Sequence, residues 1–540
     1  ASAQAAAAGA PAARGGKSKV AAKAGKAKYQ WEILAQSGIP AVDIPSFADP
    51  LTWLRFFPAE GVADVRALGV KVDWRRAFIT TNVNAYYDSF VRWQLNTLRG
   101  RGKVKFGKRL AVWSTVDGQP CADHDRASGE GVGPQEYTLI KMEVVPEECP
   151  AGRLPAAFEG KRVILAAATL RAETMYGQTN VWVLPTGQYG VYPDAAGTLW
   201  VVSPHAAANM AHQAPFSADE AAFGVVPDPV ATLTGEQLLG LSLRSPRAPR
   251  TIRVLPLLTV SMAKGTGVVT SVPSDAPDDY RGLRDLQEKQ PLRAKLGVDD
   301  AWVEGVTPIP IIHTPGYGDL AAVAACDQFG VKSQNDRVAL DAAKEDVYKK
   351  GFYSGTLLVG THEGMGVEAA KPLIRAEMLA DGTAVSYAEP EKTVMSRSGA
   401  ECVVAWSDQW YLTYGEDEWR SATEGALAAM ETYAPETRSR FEEALAWLRE
   451  WGCSRQFGLG TRLPWDERWL VESLSDSTIY MAFYTVAHLL QGGTSNMDGA
   501  KPGPAGVAAT DMTDAVWDYV LLGQGDPAGL PVPADVADAL

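Results

Sequence analysis

Between residues 141 and 395 the sequence breaks repeatedly into short apolar runs closed by glycine and proline, and this pattern limits the fold more than any other feature of the chain. Runs at 163–168, 181–184, 199–202 and 251–255 have the length and composition of strands, with Gly/Pro turns between them. On either side the texture changes. Upstream, 87–98 reads as a helix with Val91, Leu95 and Leu98 on one face, stopped near Gly100 and Gly102. Downstream, 402–406 reads as a buried strand and 441–451 as a helix with Phe441, Leu445 and Leu448 inward and a stop at Gly452. A helical stretch also returns at 340–350, where alternating charges predict an exposed face. The last residues are rich in Gly, Pro, Ala and Asp, with one helical patch at 516–522.

A chain of 540 residues exceeds one core, and about 150 residues per domain implies three or four domains. The hydrophobic fraction of 46% and charged fraction of 21% are those of a soluble globular protein, and no apolar run reaches the roughly 18 residues of a membrane span. A net charge of -13 argues against a general nucleic-acid coat, so an RNA partner would need local basic surface. Cys121, Cys149, Cys326, Cys402 and Cys453 are odd in number and widely spaced, which fits a reducing, cytoplasmic compartment better than a disulfide scaffold. Residues 1–28 carry six basic side chains and no acidic one; they read as a disordered linker or insert, with a transit peptide as the alternative.

Two segments of the β-rich stretch carry candidate chemistry. TLRAETMYGQTN at 169–180 sets Thr169 and Thr174 around Arg171 and Glu173, and GTGVVTSVPSDAPDDY at 265–280 sets Asp275, Asp278 and Asp279 after Pro273. Short hydroxyls can position a water at a carbonyl while a fixed carboxylate holds an ammonium ion. The same residues also suit a helix cap and an acidic turn, and each segment alone leaves both readings open.

Together the segments resemble the editing domain of class I synthetases for aliphatic amino acids, in the wording of the eukaryotic cytosolic leucyl-tRNA synthetases. The resemblance extends, in the expected order, through 71–98, 106–138, 389–416 and 458–490, and covers roughly residues 29–525. Ala172 departs from it, standing where the family usually has proline. The implied fold is α/β: a doubly wound nucleotide-binding domain, incomplete here, interrupted by a β-rich editing domain. On this resemblance 29–140 and 396–495 are two parts of one catalytic domain sharing a parallel sheet, 141–395 is the editing insert, and 496–540 is a Gly/Pro-rich tail leading to the family's C-terminal region.

The resemblance also implies roles. Thr169 would place the attacking water, Thr174 would line the pocket and exclude the leucyl group, and Asp279 would hold the α-ammonium of the misattached amino acid. Asp275 and Asp278 would contact substrate or stabilise the turn, and Arg171 would meet a terminal phosphate or brace Glu173. In ESLSDSTIYMAFYTVAHLL, Tyr480 and His488 would close over a leucyl side chain or sit in the core, and Asp476 reads as a helix N-cap before Ser477. Gln409 and Trp410 end a strand, with Trp410 as core packing. The implied partners are tRNA(Leu), leucine and ATP, with Mg2+ in the intact enzyme and other synthetases or scaffold proteins beyond it.

Other motifs lack essential members. Cys121 and His124 have no second pair for a zinc site, and His362–Glu363 lacks the second histidine of a metalloprotease helix. Gly16–Ser18 follows Pro11 where a P-loop needs glycine, and the run at 458–463 lacks the third glycine of a dinucleotide turn. The family's His-x-Gly-His and Lys-Met-Ser-Lys-Ser motifs are not in the sequence, so this chain alone is expected not to activate leucine. Three functions fit: the editing-bearing portion of a leucine–tRNA ligase, a freestanding deacylase acting in trans, or a non-catalytic remnant serving as a scaffold.

Overall fold

Strand Val163–Thr169 organises the central sheet because its side chains alternate between two buried faces. Val163, Leu165 and Ala167 enter a large apolar cluster, and Ile164 and Ala166 enter a smaller one. Its neighbours repeat the division: Ile140, Met142, Leu199 and Val201 join the first cluster, and Tyr137, Leu139, Trp200 and Val202 the second. Strands covered on both faces need continuous apolar sequence, which is why 163–168 was legible as a strand. The computed structural model describes residues 29–540 apart from 214, 215, 217–221, 249 and 457, so the expected linker at 1–28 lies outside the described residues.

Among the described residues the sheet has ten strands. Their order is Val268–Ser271, Asn180–Val183, Thr251–Pro256, Ser242–Arg244, Pro134–Val144, Val163–Thr169, Leu199–Val202, Gln188–Pro193 and Ala231–Thr234, with Ala384–Pro390 also paired to Pro134–Val144. Two neighbouring pairs are parallel, Asn180–Val183 with Thr251–Pro256 and Val163–Thr169 with Leu199–Val202. Helix Val367–Ala380 lays Val367, Ala370, Ile374 and Met378 on the large cluster, a helical spacing, while Ala206, Ala207 and Met210 of Pro204–Met210 cover the other face. The mixed α/β class and the β-rich middle are therefore as expected.

The chain divides into two compact units, Ala1–Arg109 with Ser407–Leu540, and Leu110–Trp406. The expected domain edge at 141 falls inside strand Pro134–Val144 of the second unit. In the first unit helix Ala85–Gly100 starts at Asn84, whose side chain accepts the Tyr87 amide, and buries Tyr86, Tyr87, Phe90, Val91, Trp93, Gln94 and Leu95. The expected face was right for Val91 and Leu95; Leu98 packs instead, partly buried, beside Val104, Leu412 and Cys453. Phe483 of helix Tyr480–Leu490 sits among Phe78, Tyr87, Phe90 and Trp517, with ring centroids 4.7 to 6.1 Å away.

Three expectations for this unit are corrected. The helix expected at 441–451 runs Pro435–Trp447 and leaves Phe441 46% exposed, because Pro435 sets its first turn and Trp451 pairs with Leu412 as strand. Asp476 is not an N-cap, since the helix begins at Tyr480. Beside these elements, Asp466–Val471 pairs antiparallel with Ser454–Arg455 and Arg462–Leu463. The expected tail at 496–540 is packed, with Val507, Met512, Val516, Trp517, Val532 and Ala537 in the unit's core. All five cysteines are free, and among the described residues no helix is long and apolar enough to cross a membrane.

Candidate active site

The backbone of Arg171 ties the two threonines of the first segment together. Strand Val163–Thr169 ends at Thr169, whose Oγ1 accepts the Arg171 amide at 3.0 Å. The short 3-10 helix Ala172–Gly177 then returns Thr174, whose hydroxyl donates to the Arg171 carbonyl at 2.8 Å. Such local side-chain bonds stabilise a turn in preference to extended strand, and this one fixes both hydroxyls on a single loop. The Arg171 guanidinium approaches Glu173 at 3.3 Å and lies 4.7 Å from the Tyr348 ring centroid. Burial works against its charge, but Glu173, Tyr348 and Asp275 more than offset it and raise its pKa. Glu173 is fully buried, and its Oε2 has no hydrogen-bond partner among the described residues.

The second segment runs as strand Val268–Ser271 and then helix Pro277–Glu288, so Asp278 and Asp279 belong to a helical first turn rather than a loose acidic turn. Proline at the helix start and carboxylates beside its free amides explain why the helix begins there. Asp279 accepts the Trp182 indole N–H at 2.9 Å through one oxygen and the Val272 amide at 2.8 Å through the other. Burial pushes its carboxyl up to about 7 despite those two bonds. Asp275 is also buried and pushed up to about 6, chiefly by desolvation and against the pull of Arg171. Asp278 pairs with Lys344 at 3.0 Å and Arg337 at 3.4 Å.

A cavity of about 640 Å³ brings these segments together: Thr169, Arg171, Thr174, Asp278 and Asp279 all line it. Asp275 does not; its Oδ2 accepts the Ser274 hydroxyl at 2.6 Å. Tyr480 and His488 belong to the other unit. There the Tyr480 ring lies 5.2 Å from that of Tyr484, and burial with Arg76 and Arg75 nearby lowers the His488 pKa. Asp476 of the same unit is buried and pushed up to about 7 by desolvation, and its carbonyl accepts the Tyr87 hydroxyl. Gln409 is buried within Val403–Leu412, and Trp410 packs against Phe106 and Trp465.

Sequence reasoning missed the cavity's basic side. Helix Arg337–Ser354 buries Leu340, Ala343 and Val347 and turns Arg337, Lys344 and Tyr348 to the cavity, whereas its charges had predicted only an exposed face. The spacing of Lys344 and Tyr348, four residues apart, was the available signal. Burial opposes the Lys344 charge, but Tyr348 and Asp278 raise its pKa. Among the described residues no group of three or more His, Cys, Asp or Glu comes together to hold a metal ion.

The family model for class I tRNA synthetases (I, L, M and V) matches residues 52–495. The cytoplasmic leucine–tRNA ligase of Dictyostelium discoideum is 53% identical over 519 residues, covering 96% of this chain and 48% of that protein. The corresponding Saccharomyces cerevisiae ligase is 44% identical over 531 residues, covering 96% and 47%. The solved editing domain of the P. knowlesi cytosolic leucyl-tRNA synthetase is 25% identical, covers 47% of this chain and 97% of that one, and has a TM-score of 0.42. The chain spans about half the length of the curated relatives it matches. It belongs to the class I tRNA synthetases.

Proposed function

We propose that this chain is the editing-bearing portion of a cytoplasmic leucine–tRNA ligase, and that the cavity hydrolyses tRNA esterified with an amino acid other than leucine. Supporting this is the convergence of a two-threonine turn, a buried carboxylate and a lysine–arginine pair on one cavity. A synthetase for a small aliphatic side chain needs such a second pocket, because one methylene changes binding by only ~1–3 kcal/mol.

The roles follow from which atoms remain available. Thr169 accepts from Arg171 but keeps its own O–H, which can hold a water at the ester carbonyl. The Thr174 O–H is already given to Arg171, so this β-branched side chain offers the cavity fixed bulk and serves to exclude the leucyl group. Each Asp279 oxygen carries one N–H and retains a lone pair for the substrate ammonium, whose charge favours the ionised carboxylate. Lys344 and Arg337 supply the local positive charge that a phosphate backbone requires in an acidic chain. Water oxygen adds to the carbonyl, the C–O bond to the ribose breaks, and the ribose oxygen leaves with a proton. Leucine, ATP and tRNA(Leu) are substrates of the ligation reaction in the longer protein.

The test is deacylation of norvalyl- or isoleucyl-tRNA(Leu) by this chain, compared with the uncatalysed ester. Catalysed release that falls in Thr169→Ala supports the reading; release no faster than in buffer overturns it.

A further inference from the structure

Glu389 opens the 389–416 segment, and it holds a wall of the cavity. It sits on strand Ala384–Pro390 and is 1% exposed. The Gly265 amide donates to both of its oxygens, at 2.9 Å each, and the Tyr387 hydroxyl donates to Oε2 at 3.0 Å. The His205 Nε2 lies 3.1 Å from Oε2, and its Nδ1 lies 3.7 Å from Glu401. Burial opposes the charge, but His205 and the Gly265 amide outweigh it and hold the carboxyl below the ordinary range.

Gly265 belongs to the crossing between strands Thr251–Pro256 and Val268–Ser271, and Val260, Ser261, Lys264, Gly265 and Thr266 of that crossing line the cavity. Gly265 and Gly267 take positive φ, at 61° and 73°, so the turn draws little rigidity from its own backbone. It is held from outside: Ser203 donates to the Thr266 carbonyl at 2.8 Å, Tyr189 to the Gly267 carbonyl at 2.6 Å, and Gly265 donates to Glu389. Of these contacts the last is charge-assisted and so the strongest per bond.

We propose that Glu389 is a positioning residue for the hydrolytic site: its carboxylate fixes Gly265, and through it the 260–266 wall against which the substrate is placed. This rests on the deacylation reading. Glu389→Gln keeps the volume but leaves one oxygen for three donors, and its NH2 would face a donor.

The experiment combines hydrogen exchange on the full chain with steady-state deacylation of norvalyl-tRNA(Leu). In E389Q the 261–267 amides should exchange about tenfold faster, and kcat should fall about tenfold with KM within about twofold. If E389Q does not fold, Gly265→Ala strains the same turn through its φ, its added methyl meeting only Ala168 at 3.7 Å, and should give the same pattern. Unchanged exchange, or faster exchange with unchanged kcat, overturns the proposal. Should the unmodified chain deacylate nothing, the proposed function fails, and exchange alone decides whether Glu389 positions this wall.

Discussion

Trp182 donates its indole N–H to Asp279 at 2.9 Å, joining strand Asn180–Val183 to the first turn of helix Pro277–Glu288. The carboxylate proposed to hold the substrate is thus also a structural clamp. A variant that simply deletes it conflates binding with folding, and the pH dependence separates them.

Asp279 makes stability fall as pH rises. Its folded pKa, about 7, lies above the ordinary aspartate value of 3.8, so between those values the folded state holds a proton that the unfolded state has lost. Below about pH 4 both states are protonated and the group is neutral in its effect; from there to about pH 7 stability declines. Asp279→Asn lacks this decline while losing part of the clamp. Urea denaturation should therefore find the variant less stable at pH 5, with the gap narrowing by on the order of 2–4 kcal/mol by pH 8. A constant gap would show that Asp279 does not titrate in this range.

Thr174 is expected to set the exclusion of leucine. Thr174→Ala removes the branched bulk and the bond to the Arg171 carbonyl, at a cost of about 1 kcal/mol in stability. With the bulk gone, leucyl-tRNA should be hydrolysed at a rate approaching that of norvalyl-tRNA. Persistent sparing of leucyl-tRNA in this variant would remove Thr174 from specificity.

How much of this was legible follows from how local each cause is. The strand at 163–168 and the Thr169–Thr174 turn are set by neighbours in sequence, so pattern and spacing reveal them. Lys344, Tyr348 and Glu389 reach the cavity or its wall only because helix Arg337–Ser354 and strand Ala384–Pro390 pack where they do. A charged helix face looks solvated until something is found to cover it. Phe441 is the converse: an apolar residue at helical spacing implies a buried face, yet this one is exposed.

The aromatic cluster around Phe483 predicts a large stability effect. Its ring is fully buried and meets Phe78, Tyr87, Phe90 and Trp517. Phe483→Ala should cost roughly 3–5 kcal/mol, the removed contacts plus the cavity left behind. Phe483→Leu, which refills most of the volume, should recover more than half of that loss by chemical denaturation. Equal losses in both variants would mean that ring geometry, not volume, holds the core.

Lys344 should report on RNA electrostatics rather than on chemistry. It lines the cavity and shares Asp278 with Arg337, so its charge is partly neutralised within the protein before any phosphate arrives. If it meets a phosphate, Lys344→Gln should raise KM for aminoacyl-tRNA severalfold while leaving kcat close to normal. The slope of log affinity against log salt should shrink by about 0.7–0.9, the share of one phosphate contact. Asp278→Asn frees the same lysine and should move KM in the opposite direction. A salt slope unchanged in K344Q would mean that Lys344 serves Asp278 and the helix packing alone, leaving Arg337 to carry the phosphate contact.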